Sequence, residues 1–88
     1  MKKNEAIDYL IGTYEDQLDS ARRIIADEKK SLAHYKELLK EKPDDSYHQS
    51  FGKGLISGCE CRIDDAYDEL DEANAWIAVL KSLKENKA

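Results

Sequence analysis

The stretch GLISGCECRIDDAYDELDEANAWIAVLKSL, residues 54 to 83, decides how this chain folds. Its apolar and small residues Ile56, Cys59, Ile63, Ala66, Leu70, Ala73, Ile77 and Leu80 recur by alternating steps of three and four. At 3.6 residues per turn that set shares one face, so the spacing predicts a long helix that buries one stripe against another helix. The opposite side carries Asp64, Asp65, Asp68, Glu69, Asp71 and Glu72. Core and charge are thus segregated on one element.

The preceding chain supplies a matching arm. Ile7, Ile11, Tyr14, Leu18, Ala21, Ile25, Leu32, Tyr35 and Leu39 follow the same rhythm, with Glu28 as the polar interruption. Leu10, Ile24 and Leu38 widen the stripe beyond a strict coiled-coil seam, as in a helix that contacts two neighbours. Gly12 followed by Thr13 is the weak point, where a bend is allowed. Pro43 ends the helix, because it disfavours helical geometry in the residue before it and has no N–H to continue the ladder. Asp44, Asp45 and Ser46 offer N-cap oxygens, and Ser46 with Gln49 fits a capping box.

The expectation is an all-α chain with a single domain over residues 1 to 88: helix about 4–41, turn about 42–45, helix about 46–85. So short a link forces a long antiparallel helical hairpin with arms about 55 to 60 Å long at 1.5 Å per residue. Trp76, Tyr67, Val79 and Leu83 lie beside the second-arm stripe and stay partly wet in a lone hairpin. They predict an oligomer interface, with a homodimer forming a four-helix bundle favoured over higher oligomers.

With 88 residues the chain sits near the size at which a lone core gives little net stability. Nineteen acids against fourteen bases leave a net charge of -5, which argues against a general nucleic-acid-binding surface. The longest apolar run, Ala75 to Leu80, is too short to cross a bilayer, and Met1 to Glu5 leads into no signal-like segment. Cys59 and Cys61 stand about 200° apart on a helix and cannot bond each other. A reducing cytoplasm and no membrane association are expected.

Four constellations bear on function. The first is the acid cluster, to which the antiparallel arrangement adds Glu15, Asp16 and Asp19 from the first arm. A solvated face is the plain reading; a docking surface for a basic partner, imitating the phosphates of a nucleic acid, is the functional one. The second is the glycine-rich opening of the second helix. Gly54 and Gly58, four apart, let another backbone approach, opposite Glu28, Lys29 and Tyr35. Either Glu28 pairs with Ser57, Arg62 or a lysine of a second copy, or Glu28, Lys29, Tyr35, Ser57, Gly54 and Gly58 line a ligand cleft. Third, His34, His48, Cys59 and Cys61 fall into no metal-ligand spacing, and no nucleophile has a base and an orienting group. Neither a metal, a cofactor nor an enzymatic activity is expected. Fourth, residues 21 to 42 hold seven bases against four acids, suited to charge matching between elements or to an anionic ligand between copies.

The run Leu70-Asp71-Glu72-Ala73-Asn74-Ala75-Trp76 resembles the closing helix of small phage hairpin proteins that sequester cyclic nucleotide signals of bacterial immunity. The resemblance spans seven residues and implies an oligomeric sponge for a small anionic nucleotide. The residues themselves favour a non-enzymatic acidic binding protein that acts stoichiometrically on a protein partner with a basic or nucleic-acid-binding surface, in the manner of a phage-type inhibitor. A coiled-coil scaffold is the third reading.

Overall fold

The computed structural model describes residues 2–85 and shows two helices, α1 (Lys3–Glu41) and α2 (Ser46–Glu85), folded back on each other as an antiparallel hairpin. The rod measures 68 × 15 × 13 Å. Neither arm is interrupted. Gly12 lies inside a continuous α1, where the Thr13 hydroxyl donates to the Tyr9 carbonyl one turn back at 3.1 Å. The glycines of early α2 lie inside a continuous helix as well.

The turn is built from polar groups. Lys42 leaves helical geometry ahead of Pro43, and Asp45 caps α2 by accepting the His48 N–H on its Oδ1 at 3.0 Å. Ser46 is therefore the first helical residue, and the expected Ser46–Gln49 capping box gives way to a different arrangement. The Gln49 amide reaches across the turn instead, donating to the Leu39 carbonyl at 2.8 Å and the Lys42 carbonyl at 3.0 Å. His48 Nε2 lies 2.7 Å from the Leu38 carbonyl. These side chains satisfy the carbonyls that the end of α1 leaves without helical partners.

Between the arms, Ile7, Ile11, Leu18, Ala21 and Ile25 of α1 are buried against Cys59, Ile63, Ala66, Ala73, Ile77 and Leu80 of α2. Tyr14 and Leu70 pack on the same seam half-buried. These positions recur in strict sevens, the register of a left-handed two-helix coil. Burying each Ile or Leu contributes roughly 1.5–3 kcal/mol, so this seam supplies most of the driving force. Near the termini the Lys84 ammonium meets Asp8 Oδ1 at 2.6 Å and ties the ends of the arms.

Burial thins toward the turn. Leu32, Tyr35, Leu38, Leu39, Leu55 and Ile56 are only half-buried, and Gly52 is the buried residue nearest the loop. The arms touch there because Gly52 has no side chain: a Cβ built at this position would overlap the Leu39 side chain.

Candidate functional site

Two features depart from a plain hairpin, a polar node at the level of Glu28 and an acidic outer face. Glu28 occupies a seam position, which would place a carboxylate among apolar residues. The Arg62 guanidinium meets it, its Nε donating to Glu28 Oε1 at 2.8 Å, and Arg62 Nη2 also lies 3.6 Å from the buried Cys59 Sγ. Arg62 folds back over Gly58, where a Cβ would stand a tight 3.3 Å from Arg62 Nη1. The hydrogen bond from Arg62 holds the Glu28 carboxyl below its ordinary value and raises that of the guanidinium. Burial, with Glu28 beside it, pushes the Cys59 thiol up, so it stays protonated and packs as a small apolar group.

The residues expected to line a cleft are therefore not gathered into one. Gly54 faces open space, Ser57 is exposed, and Tyr35 is half-buried. The Lys29 ammonium lies on the other flank, donating to the Tyr67 hydroxyl at 3.0 Å and standing 5.6 Å from the centroid of that ring. Of the small residues, Gly58 hosts Arg62 and the close backbone approach falls at Gly52. The reason is register, since Leu39 packs opposite Gly52 while Gly54 points away from α1. What does open beside the node is a shallow groove of 280 Å³, lined by Ile24, Glu28, Arg62, Asp65, Ala66 and Glu69.

The acidic residues all face outward. Asp64, Asp65, Asp68, Glu69, Asp71 and Glu72 of α2 and Asp16 and Asp19 of α1 are exposed. Asp19 lies 3.8 Å from Arg22 on its own helix, an exposed pair of little energetic weight. Among the described residues no cation stands within ion-pair distance of the other seven. Asp64, Asp68 and Asp71 follow the four-three helical step and form a stripe along the outside of α2.

The residues expected at an oligomer interface divide between two flanks. Trp76 stacks on Tyr14, ring centroids 6.1 Å apart, while Tyr67 pairs with Lys29 on the opposite side. Val79 and Leu83 are exposed near the termini. By spacing alone Leu10 and Ile24 only broaden the seam; both are exposed, and Ile24 walls the groove. Among the described residues no three of His, Cys, Asp and Glu converge as metal ligands, and no helix is long and apolar enough to cross a membrane.

Searches against protein-family models, curated proteins and solved structures find no match to this chain.

Proposed function

We propose that this protein is a non-enzymatic binding protein that acts stoichiometrically on a protein with a basic, nucleic-acid-binding surface, in the way a phage-type inhibitor occludes its target. The observation that carries this reading is the unpaired acid stripe on the outer side of α2. Asp64, Asp68 and Asp71 are exposed and without ion-pair partners among the described residues, on a continuous helix that holds them at fixed spacing. A rigid array of carboxylates steers a cationic surface toward it and competes with phosphates for the same contacts. The seam is intact beneath it, so the charge serves no internal packing.

A nucleotide sponge at the Glu28 node draws no comparable support. Glu28, Asp65 and Glu69 surround the groove with negative charge, and Lys29 is engaged by Tyr67 on the other flank.

The test is paired affinity capture from the native host, using the wild type and an Asp64→Lys, Asp68→Lys, Asp71→Lys variant of equal helicity. The expected result is a protein retained by the wild type, displaced by duplex DNA and lost on the variant. Equal retention on both baits removes the acidic stripe as the docking face.

A further inference from the structure

The shallow groove beside the polar node lies on the flank opposite the Lys29–Tyr67 pair, and its two ends are unlike. At one end Glu28 is bonded to Arg62, whose guanidinium turns back over Gly58 and so away from the residues that follow it on α2. At the other stand Asp65 and Glu69, both exposed, with no cation within ion-pair distance among the described residues. Between the ends the wall is carbon: Ile24, 41% exposed, and the buried Ala66 share the groove, and its lining is mostly apolar. Glu28 and Arg62 offset each other, so Asp65 and Glu69 leave the groove negative.

An apolar wall with uncompensated carboxylates at one end selects its occupant by charge and shape. An anion is repelled. A bare metal ion needs several converging oxygens, and among the described residues no three of His, Cys, Asp and Glu converge. A purely apolar group would cover Ile24 but strip water from the two carboxylates without giving them a partner. An amphipathic cation suits both parts, its alkyl stem lying on the carbon wall while its charged head stays at the wet rim. The space of 280 Å³ sits at the lower edge of the roughly 300–1,000 Å³ of small-molecule sites, the scale of one long side chain. Asp65 and Glu69 stand one helical turn apart, their Cβ atoms roughly 5–6 Å from each other. A planar guanidinium with its fork of donors can bridge two acceptors so placed, which a compact and strongly hydrated ammonium does less well.

We propose that this groove receives an arginine side chain of the basic protein partner, its methylene stem along Ile24 and Ala66 and its guanidinium between the Asp65 and Glu69 carboxylates. The inference rests on the docking role proposed for the outer acids and names the contact beside them. Asp65 and Glu69 each follow a stripe residue, Asp64 and Asp68, by one position, so they lie about 100° round α2, between the stripe and the seam. A basic surface lying on the stripe therefore has the groove within reach of a long side chain. The stripe supplies attraction at a distance, and the groove supplies the place where one cation is held against carbon.

The experiment is an NMR titration of the full chain, labelled at its amides and isoleucine methyls, with tetra-arginine amide at low ionic strength. Expected are the largest shifts at the Ile24 methyl and the Asp65, Ala66 and Glu69 amides, with nuclear Overhauser contacts from arginine methylenes to Ile24. Asp65→Asn with Glu69→Gln keeps side-chain size while removing both charges, and should weaken binding at least about fivefold, more than Asp64→Asn, Asp68→Asn and Asp71→Asn combined. Ile24→Ser should weaken it as well, and tetra-lysine amide should bind less tightly than the arginine peptide. Circular dichroism checks that each variant keeps its helicity. No binding, an unmoved Ile24 methyl, or a larger loss from the stripe variant than from the groove variant overturns the proposal. The peptide stands in for the partner, so such a result leaves the stripe's docking role to be judged by affinity capture, and a failed capture does not move the peptide's site.

Discussion

The half of the hairpin near the termini and the half near the turn share a heptad register yet are held by different forces. Near the termini, Ile7, Ile11, Leu18, Ala73, Ile77 and Leu80 form a buried cluster. Near the turn the same positions hold Glu28, Leu32, Tyr35 and Leu39 opposite Gly52 and Ile56, and burial gives way to hydrogen bonds from Gln49, His48 and Arg62. A repeat in the sequence therefore sets where the helices touch. The size of the side chains at the repeat decides how much each contact contributes.

Truncation should expose that difference most strongly. Leu18→Ala removes a buried side chain and is expected to cost about 2–5 kcal/mol, whereas Ile56→Ala, half-buried near the turn, should cost about 1 kcal/mol. Urea titration followed by circular dichroism measures both. Equal losses would mean that the turn half is as well packed as the terminal half.

Glycine substitutions sharpen the comparison within the turn half. A Cβ at Gly54 meets nothing within 4 Å, so Gly54→Ala should raise stability by up to about 1 kcal/mol through helix propensity. Gly52→Ala must displace the Leu39 side chain and should forfeit at least that gain. If the two alanine variants melted alike, Gly52 would not be the point of close approach.

The smallest effect concerns the polar node. Its hydrogen bond with Arg62 lowers the Glu28 carboxyl from 4.5, so its contribution is complete above 4.5 and disappears as pH falls through the lowered native value. Thermal melts of the wild type and Glu28→Gln should differ at neutral pH and converge in acid. A gap that stayed constant with pH would assign the effect to packing.

The hairpin was legible because Pro43 breaks the chain between two long stripes of three-four spacing, and such stripes have few ways to be buried. The glycine contacts were not. Gly54 and Gly58 share a helical face by spacing, but which glycine meets the other arm depends on the register set by the turn, and the Gln49 and His48 bonds that fix it run to backbone carbonyls. The Glu28–Arg62 pair was among the partners foreseen for an acid in a seam; that Arg62 would also fill the space over Gly58 required the fold-back of a long side chain. The acids showed as exposed from their phase against the seam. The one-sidedness of the apolar flank did not, because the sides on which Ile24, Trp76 and Tyr67 fall become definite only when the arms are aligned.

Small-angle X-ray scattering of the wild-type chain tests the extended hairpin most directly. Two arms folded back on each other along their whole length should give a longest dimension close to 68 Å. A particle of single-chain mass with a longest dimension near twice 68 Å, as from arms laid end to end, would contradict the hairpin.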